Sequence, residues 1–245
     1  MQDYDMNRVA RTRTATTAAA VDEGLRSYML RVYNYMALGV AWTAIVALFM
    51  GANPPLMAAV ALGPMKWVLF IGVLALGWFA PRLIFSGNAA MAYLAYGAYA
   101  TLWGLLISPM IAFFMGTNPA IVVRALLITA VMFGATSLAG YVTKKDLSGF
   151  SGFFFMASIG LLIAIVVNAI FFQSTMMSLI TSGLVVLLFA GITAWETQQI
   201  KEMYYEGDVP EAARSKAIFG AFMLYGSFIT LFIHILNILG IMSED

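Results

Sequence analysis

The chain has 245 residues, of which 62% are hydrophobic and only 10% charged, with a net charge of +1, no cysteine and one histidine. Globular domains carry about 25% charged residues, so this composition belongs to the membrane class, and the net charge gives no argument for a nucleic-acid partner. Zero cysteines exclude disulfide scaffolds, thiolate zinc sites and cysteine nucleophiles, and a single histidine excludes a multi-histidine metal centre.

Residues 1–28 begin MQDYDMNRVARTRTATTAAAVDEGLR, and the first apolar run starts only near Tyr28. A secretory signal places its apolar core closer to the start. The reading is an uncleaved, mobile polar tail on the cytoplasmic side, whose Arg8, Arg11 and Arg13 set topology or touch anionic lipid or a partner. Residues 29–241 hold seven apolar runs, and residues 242–245 form a short acidic tail. The first run is Met29 to Met50. The second is Trp67 to Ala80, with turn signals at Asn53-Pro54-Pro55 and Gly63-Pro64 before it and Pro81-Arg82 ending it. The third, Ala89 to Met115, contains Pro109, which removes one backbone bond and predicts a bend. The fourth runs from Pro119 to Val142, the fifth from Gly149 to Phe172, the sixth from Met176 to Ile200 and the seventh from Ala217 to Ile241. All but the second reach the roughly 20 residues that cross a bilayer, and none alternates with period two. In hydrocarbon the backbone must satisfy itself, so the runs predict an all-α integral membrane protein: one seven-transmembrane-helix bundle.

Lysine and arginine counts orient it. Alternating spans put Arg8, Arg11, Arg13, Arg26, Arg31, Arg82, Lys144, Lys145, Lys201, Arg214 and Lys216 on one side, against Lys66 and Arg124 on the other. The expectation is a cytoplasmic amino terminus and an external carboxyl terminus. Arg124 snorkels near the start of its helix. Small residues predict close helix contacts at Gly72 and Gly77, Gly134 and Gly140, Gly152 and Gly160, and Gly183 and Gly191.

The one acid inside a run is Glu196, in AGITAWETQQIK. A charge at mid-membrane costs on the order of 2.5–3.5 kcal/mol and less near an interface, so something must offset it. Thr193, Glu196 and Thr197 share one arc of about 100° on a helix. One reading is a proton- or cation-responsive carboxylate facing the bundle interior. The other is an interfacial acid, either wet or paired structurally with Arg82 or Lys201, and Arg82 is the better-placed cation by depth. On the seventh run Gly220, Ser227, Thr230, His234 and Asn237 fall within about 100° of one another, a polar stripe that predicts an inward face. That stripe lines a water or ion path, or it is interhelical hydrogen bonding, worth about 0.6 kcal/mol per contact. Asn168 reads as glue between helices. There is no phosphate loop, no HExxH, no GxSxG elbow and no paired-acid metal spacing, so neither an enzyme nor a cofactor is expected.

Three stretches carry a resemblance: TKKDLSGF at Thr143 to Phe150, AGITAWETQQIK at Ala190 to Lys201, and AFMLYGSFITLFIHILNILG at Ala221 to Gly240. Together they resemble the bacterial branch of the Bax inhibitor family of multi-spanning membrane proteins. The resemblance implies a seven-helix bundle with the last helix central, a bacterial inner (cell) membrane location and a passive, pH-sensitive calcium leak. Trp195-Glu196 stands where the family has a tyrosine–acid pair, Ser227 where it has a second acid, and Arg82 near its acid-partnering arginine. Two carboxyls can share a proton, whereas one Glu and one Ser cannot. The pore or gating candidates are therefore Glu196, Arg82, Ser227, Thr230, His234 and Asn237, with no metal site and with Ca²⁺ or protons as permeant species. The alternative reading is a non-conducting regulator that binds a membrane-anchored ATP-dependent protease or another membrane protein through its basic tail.

Overall fold

The computed structural model describes the backbone of residues 2–243 and the side chains of residues 23–243. The expected mobile tail with Arg8, Arg11 and Arg13, and the end of the acidic tail, fall on residues outside the described side chains. The described residues form helices α1 (Gln2–Gly51), α2 (Pro54–Met57), α3 (Met65–Ile84), α4 (Ala89–Thr117), α5 (Pro119–Val142), α6 (Ser151–Val167), α7 (Thr175–Glu202) and α8 (Pro210–Met242), with no strand among them. Seven stretches are long and apolar enough to cross a membrane: Glu23–Gly51 within α1, α3, α4, α5, Ser148–Phe172 around α6, α7 and α8. The protein is an all-α membrane bundle.

Local chemistry sets the helix ends. Asn88 caps α4, its Oδ1 accepting from the N–H groups of Ala90 at 2.9 Å and Met91 at 3.4 Å. Ser174 caps α7, its Oγ accepting from Met177 N–H at 3.3 Å. The break at Gly63–Pro64 is real: α2 and a π turn at Ala58–Leu62 precede it, and α3 begins at Met65. Pro81, expected to end the second span, does not. Helix α3 passes through it to Ile84 and carries Arg82 in its last turn. A proline deletes one intrahelical bond, but hydrocarbon offers the remaining peptide groups no other partner, so the helix continues. In α4, Pro109 leaves the carbonyl of Leu105 without its usual donor, and the hydroxyl of fully buried Ser108 donates to that carbonyl at 2.8 Å. Helix α8 starts seven residues earlier than the apolar run, at Pro210, where a missing N–H is harmless and Glu211 favours the helix start. Lys216 reaches back to Asp208 at 2.7 Å and closes the α7–α8 loop.

Helix α8 is the axis of the bundle. It packs against α1, α3, α4, α5 and α7. Ile218, Ala221, Leu224, Tyr225, Leu231 and Leu236 on it are fully buried. The stripe is not its one inward face: Tyr225 and Leu236 are as enclosed as Ser227. A tyrosine cluster ties α8 to α1 and α4. Tyr225 Oη and Thr43 Oγ1 are 2.6 Å apart, and Thr43 donates to Ala100 O at 3.0 Å. The ring of Tyr225 meets those of Tyr96 and Tyr99 edge-on, each at 5.7 Å. At the other extreme, α6 packs chiefly on α7 and has no buried residue.

The glycine expectation is half corrected. A methyl at Gly140 would run into the backbone of Ala194, so α5 and α7 touch there, and Gly72 and Gly191 meet side chains of Leu102 and Phe154. Gly77, Gly134, Gly152, Gly160 and Gly183 face open space. Tight approaches between separate segments also occur at glycines not predicted as contacts: Gly24 against Tyr204, Gly39 against Tyr96, Gly104 against Val46 and the carbonyl of Thr43, Gly220 against Ile200 and Gly240 against Phe114. Spacing along one helix does not reveal which face meets a neighbour. Gly140→Ala should lower the thermal unfolding midpoint in detergent, by about 1–3 kcal/mol of overpacking. Gly134→Ala should leave it unchanged or raise it. Equal behaviour of the two variants would contradict the packing described.

Candidate functional site: an intramembrane carboxylate and a separate polar chamber

Glu196 lies in the penultimate turns of α7, and its partner is neutral. Ser227 of α8, 1% exposed, donates its hydroxyl hydrogen to Glu196 Oε2 at 2.7 Å. Neither cation proposed from sequence is engaged. Arg82 is exposed, and its guanidinium lies over the ring of Phe79 at 5.9 Å. Lys201 donates to the carbonyl of Tyr141 at 2.9 Å and sits over that ring at 5.3 Å. The expected Arg82–Glu196 pairing is therefore absent. The reason is geometric: Arg82 ends a peripheral helix with its long side chain free to reach the interface, whereas Glu196 turns toward the central helix.

The two threonines that share the Glu196 arc are fully buried but serve elsewhere. Thr193 donates to Phe189 O at 2.7 Å and Thr197 to Thr193 O at 2.8 Å, both inside their own helix. Thr197 also stands 2.8 Å from Ser137 of α5, whose hydroxyl is 2.6 Å from Tyr33 of α1. This hydroxyl chain ties three helices together at the residue next to the acid. Gln198, which sequence reasoning passed over, ties down the loop before α6. Its Nε2 donates to Lys145 O at 2.9 Å, and its Oε1 accepts from Leu147 N–H at 2.8 Å. In that loop the Ser148 hydroxyl and N–H draw the Asp146 carboxyl below its ordinary value, the N–H donating at 2.8 Å. The TKKDLSGF stretch is thus a loop that Gln198 anchors to α7 ahead of the next helix.

The rest of the α8 stripe divides. Thr230 donates to Gly226 O at 2.8 Å, within its own helix. His234 and Asn237 join two serines of α7: Asn237 Nδ2 donates to Ser178 Oγ at 2.8 Å and Ser182 Oγ at 2.9 Å, and Ser182 Oγ lies 3.0 Å from His234 Nδ1. Asn168 acts as glue, accepting from Ser174 N–H at 3.0 Å and donating to Ser174 O at 3.1 Å. These groups line a chamber of about 550 Å³ between α4, α6, α7 and α8, at the end of the bundle where α8 terminates. So Glu196 and Ser227 form one locus, and His234 and Asn237 form another about two turns along α8. Arg82 and Thr230 belong to neither. Ser178 and Ser182 went unnoticed because a serine every fourth residue near a helix start looks like ordinary capping. No group of three or more metal-ligating side chains occurs among the described residues.

Removing the middle hydroxyl of the α1–α5–α7 chain tests whether it is cooperative. A double-mutant cycle of Tyr33→Phe with Ser137→Ala should give a coupling energy of about 0.6 kcal/mol and at most about 1.7 kcal/mol, read from unfolding in detergent. Zero coupling would mean that the chain contributes nothing to holding the helices.

Comparison with known proteins agrees with this architecture. The family model described as Inhibitor of apoptosis-promoting Bax1 matches residues 25–244. An uncharacterised protein of Rickettsia prowazekii is 37% identical over 94% of this chain and 97% of its own. One from Deinococcus radiodurans is 38% identical over 95% of this chain and 96% of its own. The inner membrane protein YbhL of Escherichia coli is 35% identical over 89% of this chain and 92% of its own. With most of its length matched by that model and by these relatives, this multi-pass membrane protein belongs to the Bax inhibitor family.

Proposed function

We propose that the protein is a passive cation leak of a bacterial inner membrane, gated near Glu196 of α7, whose carboxylate is oriented by the hydroxyl of Ser227 on α8. The observation that carries this reading is a carboxylate inside a membrane bundle whose only hydrogen-bonded partner among the described residues is a neutral hydroxyl. Intramembrane acids that face the bundle interior mark ion or proton paths more often than structure. No basic side chain is paired with this carboxylate to compete with a passing cation. Ca²⁺ prefers oxygen ligands, and a carboxylate with an adjacent hydroxyl supplies them. The name of the Escherichia coli relative supports the inner membrane, and the excess of lysine and arginine on the amino-terminal side supports a cytoplasmic amino terminus.

The same arrangement gives the pH dependence its sign. A proton on Glu196 removes the charge that attracts the ion, so conduction should fall on acidification and recover on return to neutral pH. Glu196 must act as one group, because Ser227 cannot share a proton with it as a second carboxyl would.

Reconstitution in liposomes loaded with a calcium dye tests this. Wild-type protein should carry a flux that falls on acidification, and Glu196→Gln should reduce it by at least about tenfold, a barrier change of about 1.4 kcal/mol. Arg82→Gln should leave it unchanged. A flux no greater than that of protein-free liposomes, or an undiminished flux in Glu196→Gln, would overturn the reading.

A further inference from the structure

The chamber beside α8 is far from Glu196 and has a chemistry of its own. It holds about 550 Å³ and is lined from four helices by Asn168, Ser178, Ser182, His234 and Asn237 among apolar groups. No Asp, Glu, Lys or Arg lines it, and His234 is its one titratable side chain. An open pocket of this size with several polar partners has room for ordered water, whereas a purely apolar cavity stays dry. Its polar groups are already fixed: Asn237 spends its amide hydrogens on Ser178 and Ser182, and Ser182 also engages His234. That leaves Asn237 Oδ1 without a hydrogen-bond partner among the described residues, in the wall of the chamber.

Helix ends decide the sign of the field there. The carboxyl-terminal turn of the α6 span, Asn168–Phe172, and Ile241 at the end of α8 both border the chamber. Each presents the negative end of a helix dipole. One amino-terminal end, that of α7 at Thr175, opposes them, and part of it is already satisfied by the Ser174 cap. Two negative ends against one positive, with an amide oxygen added, favour cations. Along the helices between the chamber and Glu196, Val185 and Ile192 of α7 are 2% and 7% exposed, and Leu231 of α8 is fully buried, all three apolar.

We propose that this chamber is a water-filled vestibule that admits hydrated cations from the carboxyl-terminal face and holds them on uncharged oxygens, with Val185, Ile192 and Leu231 forming the dry neck below it. Its place in an ion path rests on the leak reading, but its access and charge preference do not need flux to be measured.

The chain contains no cysteine, so single cysteines can be introduced into the full-length protein without background. Ser178→Cys and Ile241→Cys place a thiol on the chamber wall, and Val185→Cys places one in the neck. Each is reconstituted in liposomes, checked against wild type by unfolding midpoint, and treated with membrane-impermeant methanethiosulfonates bearing a trimethylammonium or a sulfonate group. Rates are normalised to those of a small free thiol. Residues 178 and 241 should react, with the cationic reagent favoured by about fivefold or more from the local dipoles, while residue 185 should not. No reaction at either wall position in folded protein, an equal or anion-favouring rate, or a fast reaction at residue 185 would overturn the proposal. Labelling as expected in a protein that carries no flux would leave the vestibule standing and remove the leak reading alone.

Discussion

A carboxylate held inside a helical membrane bundle by one neutral hydroxyl is the constraint on which the rest of this structure turns. Transferring such a group from water is unfavourable, and the usual offset is a guanidinium or ammonium nearby. Here the cations go elsewhere: Lys201 to a carbonyl and a ring, Arg82 to a ring at the periphery. A salt bridge would bind α3 or the end of α7 tightly to the acid and leave nothing to attract an ion. A single Ser227 hydrogen bond fixes the orientation of the side chain at little cost in reversibility.

The bundle is arranged to make that contact possible. Helix α8 is enclosed by five neighbours, so whatever it presents to α7 is shielded from lipid. The tyrosine and threonine contacts to α1 and α4 hold its middle, and Gly220 against Ile200 sets how closely it approaches α7 at the amino-terminal end. Between helices in lipid there is no hydrophobic drive, so stability comes from such close packing and from hydrogen bonds of modest strength. Helix α6 sits outside this scheme, packed chiefly on α7, yet its final turn helps to shape the polar chamber.

Much of the fold is legible in the sequence because lipid imposes simple rules. Length, uncharged runs and proline or asparagine punctuation locate all seven spans, and the fourth agrees at both ends, Pro119–Val142. What is not legible depends on rotation and depth. Pro81 does not end α3, because the bilayer penalises unwinding more than proline penalises helix. Gly134 and Gly140 look alike in sequence, yet only Gly140 meets another backbone. At the site, the inward turn of Glu196 follows from the rarity of intramembrane acids, and the polar stripe of α8 from its spacing. The choice of Ser227 over Arg82 does not, because membrane depth alone cannot separate two partners at the same level. Ser178, Ser182 and Gln198 become visible only when a second helix or loop supplies the groups they bind.

The central claim is that Glu196 answers to Ser227 and not to Arg82. Infrared difference spectroscopy, using Glu196→Gln to assign the carboxyl stretch of this residue, reads that environment directly in either protonation state. The account predicts that the band shifts in Ser227→Ala, where the hydrogen bond is lost, and stays in place in Arg82→Gln. A band that moves with Arg82→Gln and ignores Ser227→Ala would contradict it.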